Sequence, residues 1–402
     1  MSARVLHVAK VAGISGSENH LLLLLPALRE RGYDVRFAML HEDEPGAAEF
    51  ATRLREGGVH VEELRFHAAT APILVGRLVR LMRRHAPQIV HTHLVHADFL
   101  GLPAGGIARV PVLASTKHGF NAFRDRRAFA AADRRVAGLA DLHIAISAGL
   151  ARYLAEREGL DGRSFEIVHY GIVPGPQPPP PPGAPRLAVV GRLVPIKGHA
   201  ILLEALAAAR ARVPALTLEV AGDGPLGGEL RGLAERHGVA GAVTFLGRVA
   251  PVAPVLERAE LVVVPSLGEG FGMVALEAME RGRPVVASTV GGLPEIVEDG
   301  RTGLLVPTGD AAALAAALVD LASDPARAAA MGAAGRERAV TAFTQARCTD
   351  RTDALYRAAL AEAPARRSRS SSQARPAGRA RRRSSRRGQG PVSYTHLTLP
   401  TN

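Results

Sequence analysis

Short runs rich in Val, Ile and Leu alternate with longer stretches of helical spacing along most of this chain. The runs fall at Val5–Ala9, Asp34–Leu40, Val59–Leu64, Ile89–Thr92, Val112–Thr116, Leu142–Ile146 and Phe165–His169. Such a rhythm predicts a parallel sheet whose strands are covered on both faces by helices. From Pro174 to Pro185 eight of twelve residues are proline, which excludes helix and central strand and reads as an extended, semi-rigid linker. The rhythm restarts at Leu187–Val190, continues to about Val306, and gives way to an Ala-rich, helix-forming stretch from Asp310 to Ala363. The pattern predicts an α/β protein of two βα domains, residues 1–173 and 186–343, joined by the linker 174–185. A last helical segment at 344–363 and a tail at 364–402 follow. Two such domains make a cleft between their sheet ends, suited to a ligand too large for one of them.

Composition changes this picture little. The 402 residues suffice for two sizeable cores, and 47% apolar content with a mean hydropathy of +0.08 describes a soluble globular protein. Cys348 is the single cysteine, so an intramolecular disulfide is excluded and a reducing compartment fits. The chain enters its first strand at Arg4, leaving no room for a signal peptide, and no uncharged apolar run approaches the ~20 residues that span a bilayer. The expected location is the cytoplasm, and contact with the inner face of a membrane would be peripheral. The basic stretch Arg124–Leu139, with Phe129, Val136 and Leu139 on one side, fits either anionic headgroups or a solvated face.

The net charge of +12 belongs mostly to the tail. Residues 364–402 hold ten Arg and no acid, which leaves 40 basic against 38 acidic residues elsewhere. The tail is Arg/Ser-rich with almost nothing apolar, and is expected to be disordered. Binding of nucleic acid would rest on it alone and is disfavoured for the body of the chain. The final stretch, PVSYTHLTLPTN, changes composition abruptly, as a frameshift or vector-derived scar would.

The candidate chemistry centres on Ser266–Glu280. The apolar run Leu261–Val264 leads into a loop carrying Gly268, Gly270 and Gly272, and Met273–Arg281 has helical spacing ended by Gly282. Strand, glycine loop and helix start together suit a phosphate, because unpaired N–H groups and the helix dipole favour an anion. Glu269 and Glu277 flank the loop, placed to accept hydrogen bonds from sugar or ribose hydroxyls; taken alone, the stretch is equally a glycine-rich turn with two solvated glutamates. Arg192 and Lys197, in GRLVPIKGH, sit at a strand end where they could reach a pyrophosphate or remain surface charge. Gly247, Arg248 and Val249 end another strand and could offer backbone groups to a nucleobase. In the first domain, Gly16 opens a helix that would face the donor phosphates, while Ser15 with Glu18 is also a capping box. His91 and His93 alternate onto one side of a strand, but a third metal ligand is not evident, and no metal is expected. His93 and His118, at strand C-terminal ends, are candidates to line the acceptor side.

GRLVPIKGH, AGDGP, FLGRV, the E-x7-E of EGFGMVALE, VGGLPEIV and DGRTGLLVP occur in that order within residues 186–309. This region resembles the nucleotide-binding domain of the retaining GT-B-fold glycosyltransferases, the group with glycogen synthases and bacterial mannosyl- and lipopolysaccharide-core transferases. The first domain matches more loosely, through SGSEN, VHTHLVHADFLG and STKHGF. The resemblance implies two Rossmann-like domains that close around a UDP-, GDP- or ADP-sugar and transfer its sugar with retention to a saccharide or lipid-linked acceptor. Cell-surface polysaccharide, lipopolysaccharide or glycolipid synthesis would be the setting, without a cofactor or obligatory metal. It implies that Arg192 and Lys197 bind the diphosphate, Glu269 holds the transferred sugar, and the Gly270–Phe271–Gly272 backbone lies beside the phosphates. Glu277 would take the ribose, Gly16 would line the cleft opposite, and His118 would lie near the reacting carbon. The last helix, about Thr344–Ala361, would cross back onto the first domain. Two positions depart from the family pattern: a paired glycine is Ser15-Gly16 here, and a frequent Asp is Val173. A nucleotide-sugar 2-epimerase of related fold, or nucleic-acid binding through the tail, is the alternative reading.

Overall fold

The computed structural model describes residues 2–67, 71–120, 127–158, 165–180, 183 and 185–373. The first domain runs β1 (Arg4–Lys10), α1 (Gly16–Glu30), β2 (Asp34–His41), α2 (Pro45–Glu56), β3 (His60–Arg65), α3 (Ala71–His85), β4 (Ile89–His93) and α4 (Leu94–Ala108). It continues through β5 (Val112–Lys117), α5 (Arg127–Ala137), β6 (Leu142–Ala145), α6 (Ala148–Glu158) and β7 (Glu166–Ile167). The second runs β8 (Arg186–Val190), α7 (His199–Arg210), β9 (Thr217–Ala221), α8 (Gly227–Arg236), β10 (Val243–Gly247), α9 (Ala253–Arg258) and β11 (Leu261–Val264). After these come α10 (Met273–Glu280), β12 (Val285–Ser288), α11 (Leu293–Ile296), β13 (Gly303–Val306), α12 (Ala311–Ser323) and α13 (Pro325–Ala342). A final helix, α14, spans Gln345–Gln373.

Every strand run predicted from the apolar pattern is present, and both sheets are parallel, in the orders β3-β2-β1-β4-β5-β6-β7 and β10-β9-β8-β11-β12-β13. Strand order reverses between β1 and β4 in one sheet and between β8 and β11 in the other. Ligands of open α/β sheets bind outside the strand ends at such switch points. The switch points lead into Gly16 and His93 on one side and into Arg192 and Glu269 on the other.

The domains are stitched twice. The Ile172 N–H donates to the Phe343 carbonyl at 2.9 Å and the Gln345 N–H to the Ile172 carbonyl at 2.8 Å, so the two interdomain passages run side by side. A Cβ at Gly171 would lie 2.5 Å from the Thr344 backbone, which leaves room there only for glycine. The linker is held to the second domain by Glu280, which accepts from the Gly175 N–H at 2.8 Å, and by Arg336, which donates to the Gly175 carbonyl at 2.7 Å. Helix α14 returns to the first domain: Cys348, Leu355, Tyr356, Ala359 and Ala363 pack into its core with Leu21, Leu25 and Phe37. It reaches Gln373, ten residues beyond the predicted end and into the segment expected to be disordered. Residues 374–402, including the suspected scar, lie outside the described residues, as do Arg124–Arg126 of the basic stretch. Among the described residues no helix is long and apolar enough to cross a membrane.

Candidate active site between the two domains

Helix α1 starts at Gly16 with both halves of the Ser15–Glu18 capping box formed, and the Ser15 N–H donates to Glu18 Oε2 at 3.1 Å. A Cβ at Gly16 would lie 3.9 Å from Met273 Cγ, at the start of α10 in the other domain. Two helix N-termini therefore face each other across the seam. Each presents first-turn N–H groups without intrahelical acceptors and the positive end of its dipole.

Two of the candidate residues, one cation and one carboxylate, meet beside them. Lys197 Nζ lies 2.6 Å from Glu269 Oε2, which also accepts from Ser266 Oγ at 3.2 Å. Arg192 is exposed at the end of β8, and Arg248 at the end of β10. Glu277, on α10, is buried enough that its pKa is pushed up to about 7, against the opposing pull of Arg281. Gly247 adopts a φ of +68° and its carbonyl accepts from the Gly222 N–H at 2.8 Å, which places 247–249 at the sheet edge beside the cleft.

The glycines of the loop serve a different purpose from the one read in the sequence. The space a side chain would need at Gly270 is filled by the other domain, with the His118 carbonyl oxygen at 2.8 Å and Gly119 Cα at 3.1 Å from a notional Cβ. At Gly272 it is filled by Leu293, and at Gly268 by Ile196. Here the missing Cβ lets protein approach protein, and the loop becomes part of the interdomain seam. The second glycine pair behaves alike: a Cβ at Gly291 would overlap the Glu269 carbonyl, and one at Gly292 would lie 2.7 Å from the Phe271 carbonyl oxygen.

Three groups that the sequence reading did not single out complete the seam. Ser147 Oγ donates to the Gly270 carbonyl at 2.6 Å. Glu295 of α11 reaches into the first domain and accepts from the Gly149 N–H at 2.8 Å and the Ala148 N–H at 3.0 Å, capping α6, with His169 Nε2 at 2.8 Å. Burial alone would raise the Glu295 pKa, but the hydrogen bonds from His169, Gly149 and Ala148 outweigh it and hold it below the usual range.

The first-domain wall is made of neutral rings. His118 turns both ring nitrogens inward: Nε2 lies 2.9 Å from His93 Nδ1, and Nδ1 bonds the Tyr170 hydroxyl. Its carbonyl, by contrast, faces Gly270. His93 is fully buried behind it, so it lines no open surface. The third imidazole near His91 and His93 comes from His7, which pairs in register with His91 across β1 and β4. Ring nitrogens of the three lie within 4.8 Å of one another, a spacing a metal ion would accept, but hydrogen bonds already engage each of them. Burial lowers the pKa of His91 and of His20 to about 3, and burial with neighbouring imidazoles lowers those of His7, His93 and His118 well below 6.5. All five are neutral at physiological pH.

Comparison with known proteins follows the same division. Residues 14–175 match Glycosyltransferase Family 4, and residues 184–324 match Glycosyl transferases group 1. Each domain matches one glycosyltransferase family model, and the fold is GT-B. The first match ends and the second begins within the proline linker, at residues 175 and 184. The chain is 35% identical over 213 residues to a glycogen synthase of Mycobacterium tuberculosis, covering 52% of this chain and 50% of that one. It is 37% identical over 250 residues to a D-inositol 3-phosphate glycosyltransferase of Mycobacterium avium, covering 57% and 58%. The chain thus spans about half the length of these curated relatives. Among solved GT-B structures, Anabaena HepE in complex with UDP superposes with a TM-score of 0.74 at 24% identity, covering 88% of this chain and 100% of that one.

Proposed function

We propose that this GT-B protein transfers a hexosyl group from a nucleoside-diphosphate sugar to an acceptor hydroxyl with retention of anomeric configuration. The carrying observation is the meeting of the α1 and α10 starts across the seam, with the Lys197–Glu269 pair beside them. Two helix N-termini and two cations, Lys197 and Arg192, would stabilise charge on the departing diphosphate without an obligatory metal. Glu269, released from Lys197 as the diphosphate takes over that ammonium, would accept hydrogen bonds from the sugar. Glu277 would do the same for the ribose, and the 247–249 backbone would meet the base. His118 would face the reacting carbon through its carbonyl. The relatives' names direct the acceptor screen toward glucans, inositol phosphates and lipid-linked saccharides, with the reaction at the cytoplasmic side of the cell.

The test is purified protein with UDP-, GDP- and ADP-sugars, following nucleoside diphosphate release with and without acceptor in the presence of EDTA. Acceptor-dependent release, with an axial product bond from an axial donor by NMR, is expected. Formation of a C2 epimer from donor alone, or inversion at the anomeric carbon, would overturn the reading.

A further inference from the structure

The second domain holds a cavity of about 310 Å³ on the side away from the cleft. Its walls are the proline linker, the residues that lead into β11 and β12, the end of α12 and the first half of α13. The cleft lies at the C-terminal ends of the strands, so cavity and cleft open at opposite ends of the same sheet. Most of the lining is apolar, including Pro178, Pro180, Pro284, Leu321 and Ala328. Three charged side chains interrupt it: Arg281, Arg283 and Glu260.

Arg283 stands apart among the buried cations. It is only 4% exposed, and its Nη2 donates to the Pro179 carbonyl at 2.8 Å and the Glu257 carbonyl at 2.6 Å. Its Nε is buried with no acceptor. Among the described residues its Nη1 has no acceptor either, and the guanidinium forms no ion pair. A charge taken out of water is ordinarily matched by an opposite charge and a full set of hydrogen bonds. Burial accordingly draws the Arg283 pKa below the usual arginine value, against the opposing pull of Glu257 and Glu260. Arg281 shows a milder form of the same defect. Its Nε is buried without a hydrogen bond, and the Glu257 carboxylate, at 3.6 Å, is beyond hydrogen-bond reach. Glu280, 2.8 Å from Arg281 Nη1, is shared with Arg336 and the Gly175 N–H.

Two cations and one carboxylate on the wall leave one positive charge over. A single oxyanion would neutralise it, and its oxygens would accept from N–H groups that now lack acceptors. The apolar remainder of the wall calls for a nonpolar body. An apolar void of about 150 Å³ admits benzene, so this cavity has room for a ring and a charged head.

We propose that the cavity binds a small organic oxyanion, a phosphate monoester or a carboxylate with a ring-sized apolar body, whose charged head meets Arg281 and Arg283. The site is separate from the donor cleft and does not depend on the glycosyltransferase reading. It lies where the linker is fastened to the second domain, since Arg283 holds the Pro179 carbonyl and Glu280 the Gly175 N–H.

Calorimetry on the full chain tests this with inorganic phosphate, phenyl phosphate, benzoate and benzyl alcohol. Phenyl phosphate is expected to bind once per chain and roughly tenfold tighter than inorganic phosphate, because the ring buries apolar surface. Benzyl alcohol, a ring without charge, should not bind measurably. Whichever of phenyl phosphate and benzoate binds more tightly names the oxyanion. Arg283→Gln should weaken binding at least tenfold. So should Ala329→Trp, which fills the cavity from an exposed position on α13 and leaves both arginines in place. Lys197→Ala should leave binding unchanged, because that residue belongs to the cleft. Failure of both oxyanions to bind at millimolar concentration would overturn the proposal and leave water as the partner of Arg283. Benzyl alcohol binding as well as phenyl phosphate would overturn the charged head, and inorganic phosphate doing so would overturn the apolar body. Binding lost in Lys197→Ala and kept in Ala329→Trp would put the probe in the donor cleft, which also sinks the proposal. Should Arg283→Gln not fold, Ala329→Trp against Lys197→Ala carries the same contrast.

Discussion

On the second-domain side of the seam the polar groups are charged: Arg192 and Lys197 follow β8, and Glu269 and Glu277 follow β11, its neighbour in the sheet. On the first-domain side they are neutral rings drawn from residues 7, 20, 91, 93, 118, 170 and 356, all buried except the half-buried His118. The charged side can exchange partners, because Lys197 and Glu269 keep partial access to solvent, with side chains 27% and 15% exposed. The neutral side cannot. A proton added to any of its rings would meet a dry interior and other imidazoles, and a ring that changed tautomer would strand a neighbour. One wall carries charges that can exchange partners, the other neutral groups held by their own hydrogen bonds.

The sharpest break in that comparison is on the charged wall. Lys197→Ala and Glu269→Ala are each expected to lower turnover by about 100–1,000-fold, the scale of removing one electrostatic contact to a transition state. Steady-state kinetics with saturating acceptor measures this, and a change under threefold in both variants would remove the pair from the site.

Next in size is acid. The folded pKa values of the buried histidines lie below the unfolded value of 6.5, at about 3 for His20 and His91, so in this window the unfolded chain binds more protons. Their neutral burial is fully compatible with folding above pH 6.5, and stability is lost as pH falls toward the folded values, about 1.4 kcal/mol per ring for each pH unit. The second domain has one such residue, His199, lowered to about 4. Hydrogen exchange between pH 7.5 and 4.5 should therefore show β1, β4 and β5 losing protection before β8, β11 and β12; the opposite order would refute the contrast.

The smallest effect concerns Glu277. With its pKa at about 7 without ligand, ribose hydroxyls that donate to the ionised form would make donor affinity rise roughly tenfold from pH 6 to 8. Glu277→Gln should flatten that profile in calorimetry, whereas a parallel slope in the variant would assign the titration elsewhere.

The same contrast explains what could be read from the sequence. Strand positions were legible because a strand covered on both faces is a short apolar run, and the charged wall because its cations and glutamates each sit in a short motif directly after such a run. The neutral wall was not. His91 and His93 could be placed on one face by alternation, but His7 joins them only through the pairing of β1 with β4, and Tyr356 only through the return of α14. Neither contact has a local signature. Glu295 was visible as part of a glycine loop, yet its partners, the Ala148 and Gly149 N–H groups, belong to the other domain. Gly270 was read as an opening for a ligand because sequence shows that a Cβ is missing and not what occupies its place.

The return of α14 also bears on how the protein is made. Tyr356, Leu355 and Cys348 complete the core of residues 1–173, and a large buried side chain contributes about 1.5–3 kcal/mol. A ribosome delivers them only after the whole second domain has emerged. The half of the molecule synthesised first is therefore the half finished last, and a nonsense codon near position 345 would injure the beginning of the protein rather than its end.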